Sequence, residues 1–184
     1  NQKNIGVIRS SNLCCEIFEY SDSKNYAVCN LASICLPTYV ETAKNGKKTF
    51  NLKKLCEVAK IVTYNLDKII DINFYPTPET KKTNMENRPI GIGVQGLADV
   101  FYMMGYPFDS EEAAALNKQI FETIYFGALT ESVQLAKDKG KYSRFEGSPF
   151  SEGKLQYHLW GLDESDLLTD WDWKQLVKDV MTYG

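Results

Sequence analysis

The chain has 184 residues, 43% hydrophobic and 24% charged, with 21 basic and 24 acidic side chains for a formal net charge of −3. That is enough for one domain with its own core, and with no basic run nothing argues for an electrostatic groove for DNA or RNA. A single histidine, His158, and no Cys-x-x-Cys pair leave a metal site without its usual ligands, and no apolar run approaches the roughly 18 residues of a membrane span.

The first element is Ser11-Asn12-Leu13-Cys14-Cys15-Glu16-Ile17, followed after a turn-rich stretch by Tyr26-Ala27-Val28-Cys29-Asn30-Leu31-Ala32-Ser33. In an extended chain, side chains alternate between faces. Asn12, Cys14 and Glu16 then share one face, and Leu13, Cys15 and Ile17 the other. Residues 20–25 have turn composition, and residues 26–34 resume as an apolar, strand-like run. A fold-back about Asp22 and Ser23 sets Cys29 roughly opposite Glu16 or Ile17, near Cys14. An amide, a carboxylate and two thiols in one small space describe a redox site. The plainer reading is two packed thiols, a solvated carboxylate and a turn-forming amide. Cys15, facing away, is expected to pack.

Residues 40–48 read as a polar loop with an Asn45-Gly46 turn. Asn51 is placed to cap a helix on which Leu52, Leu55, Val58, Val62, Leu66, Ile69 and Ile70 recur at helical spacing to about Asn73. Pro76 and Pro78 forbid its continuation. Cys56, near the apolar face, and Cys35, shortly before Pro37, both read as buried, inert thiols. Residues 80–88 read as another polar loop. Gly91-x-Gly93-x-x-Gly96 has the spacing of a dinucleotide fingerprint, with Glu111 about 20 residues beyond Gly91. Only Ile90 separates Pro89 from Gly91, however, where that fingerprint needs a long strand. Close backbone packing at a strand-to-helix junction accounts for the glycines better. Two rival functions stand: a nicotinamide-dependent oxidoreductase using the stretch from Gly91 to Gly96, and a non-catalytic helical interaction module.

Asp109, three residues before Glu112, gives a capping-box-like start to a long helix. It runs through Leu116, Ile120, Phe121, Ile124, Leu129, Val133 and Leu135 to a stop at Gly140, with Gly127 marking a close crossing or a bend. Residues 141–153 are loop-like, with a turn at Glu146-Gly147-Ser148-Pro149. Residues 169–172 open a last helix carrying Trp173, Leu176, Val177 and Val180 on one face. Trp160, Trp171 and Trp173 read as core anchors. Strand-like segments followed by long amphipathic helices indicate the α/β class. Five cysteines, an odd number without framework spacing, point to a reducing, cytoplasmic compartment. An opening Asn1-Gln2-Lys3-Asn4 without Met, and an end directly after an amphipathic helix, suggest an internal piece of a longer protein.

Ser-Asn-Leu-Cys-x-Glu-Ile followed by Ala-Val-Cys-Asn-Leu-Ala-Ser resembles the catalytic segment of the large subunit of class I ribonucleotide reductases. The resemblance continues through residues 88–99 (Arg-Pro-Ile-Gly-Ile-Gly-Val-Gln-Gly-Leu-Ala-Asp) and residues 116–125 (Leu-Asn-Lys-Gln-Ile-Phe-Glu-Thr-Ile-Tyr). It extends to Phe145-Glu146-Gly147-Ser148-Pro149 and Trp173-x-x-Leu176, and so covers essentially all 184 residues. The 15-residue interval from Cys14 to Cys29 looks like the eukaryotic-type enzyme.

The resemblance implies that residues 1–184 are part of the catalytic domain, a ten-stranded α/β barrel with long amphipathic helices. Its catalytic cysteine would sit on a loop inside the barrel, which qualifies the extended-strand reading of Cys14. Implied roles follow residue by residue. Cys14 carries the thiyl radical that abstracts the 3′-hydrogen of the ribose, and Glu16 takes the 3′-hydroxyl proton. Asn12 hydrogen-bonds the substrate hydroxyls, with Leu13 also in the substrate-binding set. Cys29 is half of a redox-active dithiol whose partner lies upstream. The implied reaction converts ribonucleoside diphosphates to deoxyribonucleoside diphosphates for DNA synthesis. No cofactor or metal is implied in this chain: a metal-containing small subunit supplies the radical, and an external dithiol of the thioredoxin or glutaredoxin type the electrons. Further implied are nucleoside triphosphate effectors bound elsewhere, a homodimer or larger assembly, and no nucleic-acid or membrane partner. The regulatory region, the upstream cysteine, the phosphate-binding loop and the radical-relay tyrosine pair all fall outside these residues, so this piece alone is expected to be inactive. Cys15 departs from the small hydroxyl residue common at its position.

Overall fold

The computed structural model describes residues 2–11 and 17–184. Strand β1, Leu31–Cys35, passes through one turn of 3-10 helix, Leu36–Tyr39, into β2, Val40–Thr42. β2 pairs antiparallel with β3, Lys48–Phe50, across a turn that Gly46 closes at φ +80°, a left-handed conformation suited to glycine. A hairpin therefore stands where a polar loop was expected. Each strand has only three residues, too few to register as an alternating pattern. Asn51 N–H extends the pairing by donating to Tyr39 O at 2.8 Å, and the Tyr39 and Phe50 rings pack at 6.0 Å.

Helix α1, Leu52–Ile72, follows as its periodicity predicts, and the Asn51 side chain accepts from Lys54 N–H at 2.9 Å as the N-cap. Helix α2, Pro78–Asn87, replaces the expected loop. Pro78 begins this helix, because its fixed φ and missing N–H suit a first turn. A reciprocal Thr77–Thr80 capping box completes the start. Only Thr83 and Asn84 of α2 are buried, so no apolar stripe announced it.

Strand β4, Gly91–Gln95, lies parallel to β1, from Leu31 opposite Gly91 to Cys35 opposite Gln95. Helix α3, Leu97–Met104, then leads to α4, Glu111–Lys139. Ser110 rather than Asp109 caps α4, its hydroxyl accepting from Ala113 N–H at 3.1 Å. A short α5, Gln156–Leu159, and α6, Trp173–Tyr183, complete the order. Asp172 caps α6. The architecture is mixed helix and strand, and no sheet among the described residues exceeds two strands.

Two apolar clusters form the core, and α4, 29 residues and so about 44 Å long, contributes to both. Its first half packs Leu116, Ile120 and Ile124 against Leu55 and Ala59 of α1, Ile34 of β1 and Val100 of α3. Its second half packs Leu129 and Val133 against Leu155, Tyr157, Trp173, Leu176 and Val180. The helices touch at Gly127, where an added Cβ would stand 2.7 Å from Cys56 O and 3.1 Å from Ala59 Cβ. Of the two readings of this glycine, the close crossing is the one realised. Trp173 is 3% exposed and Trp171 stacks on Phe126 at 5.2 Å, as core anchors should. Trp160 is 70% exposed and anchors nothing, since it follows the four-residue α5 into a surface turn.

A charge network ties the end of α1 to the approach to β4 and the end of α4. Arg88 reaches Asp67 Oδ1 at 2.6 Å and Asp71 Oδ1 at 2.8 Å, while Lys139 Nζ reaches Asp67 Oδ2 at 2.7 Å and Asp71 Oδ2 at 3.1 Å. Arg88 is also the non-glycine residue with positive φ, +46°, among those described.

Candidate active site

Asn12, Leu13, Cys14, Cys15 and Glu16 lie outside the described residues. What the structure places is the chain that flanks them in sequence. Ile17, the next described residue, approaches Gly91: an added Cβ there would lie 3.5 Å from Ile17 Cδ1 and 2.6 Å from Leu31 Cδ2. The missing Gly91 side chain thus lets Ile17 and Leu31 close over the start of the β1–β4 pair. Ile17 thereby lies at the start of β4, whose partner is the strand that follows Cys29.

The fold-back at Asp22 is present, with an antiparallel bridge between Asp22 and Asn25. Asp22 Oδ1 accepts from Lys24 N–H (2.7 Å), Asn25 N–H (2.8 Å) and Asn25 Nδ2 (2.9 Å), and Tyr20 Oη–H donates to Oδ2 at 2.9 Å. The Lys24 N–H, then the Asn25 and Tyr20 side chains, hold the Asp22 carboxyl down at about 2. The hairpin ladder expected beyond this turn does not form among the described residues. Residues 26–30 carry no strand, and β1 begins at Leu31 because its partner is β4 rather than the residues before the turn.

Cys29 is exposed, directly ahead of a buried polar chain. Asn30 is buried, and its Nδ2 donates to Asn84 Oδ1 at 2.8 Å and to Pro89 O at 2.9 Å. Asn84, fully buried on α2, donates through Nδ2 to Tyr75 Oη at 2.5 Å, and Tyr75 Oη–H donates to Ile70 O at 2.7 Å. Ile70 lies in the last turn of α1, whose carbonyls have no partner within the helix. Asn30 O accepts from Gly91 N–H at 2.9 Å.

Glu19 is a titratable group that sequence reasoning missed. Its Oε2 is buried without a hydrogen-bond partner among the described residues, and burial pushes the carboxyl from 4.5 up to about 7. A signal existed: in an extended chain Glu19 shares the parity of Leu13, Cys15 and Ile17, the apolar face.

The other cysteines divide. Cys56 is buried under the α1–α4 crossing, and burial raises its thiol. Cys35 is exposed, contrary to expectation, at the last position of β1, whose core-facing residue is Ile34. The glycine stretch is itself strand β4, not a phosphate-cradling turn after a strand. Gly96 caps α3 at φ +78°, and an added Cβ there would strike Pro37 at 2.6 Å. Glu111 opens α4. Nothing in this geometry favours the nicotinamide reading, and the strand-to-helix junction is the arrangement found. His158 accepts at Nδ1 from Leu155 N–H at 3.1 Å and faces Glu164 Oε1 at 3.4 Å through Nε2. Among the described residues no three His, Cys, Asp or Glu side chains are grouped to hold a metal, and no helix is long and apolar enough to cross a membrane.

A family model described as "Ribonucleotide reductase, barrel domain" matches residues 1–184. Curated relatives match along the whole chain. It is 56% identical over 184 residues to a ribonucleoside-diphosphate reductase large subunit of Acanthamoeba polyphaga mimivirus, covering 21% of that protein. It is 54% identical over 185 residues to the ribonucleoside-diphosphate reductase large chain 2 of Saccharomyces cerevisiae, again covering 21%. With the large subunit of Caenorhabditis elegans the identity is 53% over 184 residues, covering 22%. The chain thus spans about a fifth of the length of the curated relatives it matches.

Proposed function

We propose that this chain, which belongs to the ribonucleotide reductase barrel-domain family, is part of the large subunit of a ribonucleoside-diphosphate reductase. The observation that carries the reading is the family match over residues 1–184, which takes in every motif residue at once. Relatives more than half identical along the same stretch bear the large-subunit name.

On this reading residues 1–184 are a portion of a ten-stranded α/β barrel, with β1 and β4 as two of its parallel strands. Cys14, as a thiyl radical, takes the 3′-hydrogen atom of a ribonucleoside diphosphate, giving a thiol and a carbon radical. The Glu16 carboxylate removes the 3′-hydroxyl proton, which requires it within hydrogen-bond reach. Asn12 donates to and accepts from the ribose hydroxyls, and Leu13 lines the same site. Cys29 and an upstream cysteine supply two electrons and two protons and close a disulfide, so that the 2′-hydroxyl leaves as water and C2′ gains a hydrogen. Glu16 returns its proton to the 3′-oxygen, and Cys14 returns its hydrogen atom to C3′ and is again a thiyl radical. An external dithiol of the thioredoxin or glutaredoxin type then reduces that disulfide. The first radical comes from a metal-containing small subunit, nucleoside triphosphates regulate from outside this stretch, and the assembly is a homodimer or larger in the cytoplasm.

The test is turnover by the full-length protein with its small subunit, comparing Cys14→Ser with wild type and checking folding by circular dichroism. A folded variant that makes no deoxynucleotide is the expected result. Turnover that persists removes the Asn12, Cys14 and Glu16 face from the chemistry and leaves the family match describing fold alone.

A further inference from the structure

We propose that Asn84 and Tyr75 are positioning residues for the Cys29 thiol, acting through a buried chain of hydrogen bonds that runs from the end of α1 to Asn30. The inference rests on the redox role proposed above for Cys29 and goes beyond it in naming what holds that thiol in place.

The chain of bonds is directional, and every link has its donor. Tyr75 Oη–H gives its proton to Ile70 O, so its oxygen is left to accept from Asn84 Nδ2. Asn84 Oδ1 is then turned toward Asn30 Nδ2, which also meets Pro89 O. The main chain of Asn30 is fixed in turn by Gly91 N–H, just ahead of the first β1–β4 rung. Asn30 is therefore held at its side chain and its carbonyl, one residue from an exposed thiol. The backbone beside Cys29 is thereby held to one position. A dithiol that donates electrons to a bound substrate and later meets an external reductant needs one. Neither Asn84 nor Tyr75 belongs to a motif that suggests chemistry. Burying two amides is costly unless each is satisfied, and here Asn30 and Asn84 satisfy each other, with Pro89 O and the half-buried Tyr75 hydroxyl completing the set.

The experiment uses full-length protein with its small subunit and a dithiol reductant, in four forms: wild type, Asn84→Ala, Tyr75→Phe and Cys29→Ser. Turnover is measured against substrate concentration. Alkylation of Cys29 is followed by mass spectrometry relative to Cys35, an exposed thiol that the hydrogen-bond chain does not touch. Asn84→Ala is expected to lower kcat by about tenfold or more, with KM within about twofold. Its Cys29-to-Cys35 alkylation ratio should rise by about threefold or more as the segment loosens. Tyr75→Phe removes one hydroxyl, so it should move both readouts the same way by less, and it decides the matter if Asn84→Ala does not fold. Folded variants with wild-type kcat overturn the inference. So does a loss of kcat that only tracks the folded fraction while the alkylation ratio stays fixed. Full turnover by Cys29→Ser overturns the redox role and the inference with it. That outcome is distinct from failure of the hydrogen-bond chain alone, where Cys29→Ser is inactive and Asn84→Ala is not.

Discussion

Replacing Gly127 by alanine sets two known effects against each other. Alanine is favoured over glycine in a helix interior by about 1 kcal/mol. Against this, the new Cβ would stand 2.7 Å from Cys56 O, 3.1 Å from Ala59 Cβ and 3.3 Å from Cys56 Sγ. The nearest obstacle is a backbone carbonyl inside α1, which cannot swing away as a side-chain end can. The helices must therefore separate, and packing along a buried interface weakens at a cost of about 1–3 kcal/mol. Packing wins, and Gly127→Ala is destabilising by about 1–2 kcal/mol. Hydrogen exchange of α1 and α4 peptides, measured in the full-length protein, reads this locally as roughly five- to thirtyfold faster exchange. Adding Ala59→Gly should recover less than half of the loss, because the carbonyl contact remains. Exchange in Gly127→Ala that is unchanged or slower would show the crossing to be compliant and the argument wrong.

Glu19 and Arg88 allow two further tests. The folded-state pKa of Glu19 is raised, so the native state holds the proton more tightly than the unfolded chain. That contribution is complete below about 4.5 and lost as pH rises to about 7. Stability should fall across this window by up to about 3 kcal/mol, and Glu19→Gln should flatten the profile in a pH series of urea midpoints; an identical slope in the variant refutes the assignment. Arg88→Ala leaves the nearly buried Asp67 with Lys139 alone, at a cost of about 2–3 kcal/mol in the same assay. Arg88→Lys keeps the charge but not the fork that spans Asp67 and Asp71, and should recover less than half.

Long periodic segments were legible from the sequence and short or polar ones were not. The apolar stripe from Leu52 to Ile70, the Gly140 stop and the cap before Trp173 each state their structure within a few residues. Helix α2 hides because its two buried side chains, Thr83 and Asn84, are polar, and Asn84 is paired with Asn30, 54 residues away. Strand β1 was placed too early because the run from Tyr26 has strand composition, whereas its extent is set by a partner 60 residues on, from Leu31 to Gly91. Cys35, expected as a buried thiol shortly before Pro37, is exposed because the two-residue period puts Ile34, not Cys35, into the core.

The candidate site divides along the same physical line. The residues proposed to carry its chemistry fall into two short stretches, around Cys14 and at Cys29, so their order and spacing can be recognised without a structure. Their support is assembled from distance: Asn30 meets Asn84 across 54 residues and Pro89 across 59, and Ile17 meets Gly91 from the opposite end of the crossover. Asn84 and Gly91 each have a local reading that is sufficient by itself, as part of a polar loop and as a fingerprint glycine. A reactive group must be of one residue type and so leaves a motif. A positioning group needs only a donor or an acceptor in the right place, which many sequences supply. Searches for further residues that set the reactivity of this site should accordingly begin at buried amides and hydroxyls packed behind β1 and β4, not at its ionisable side chains.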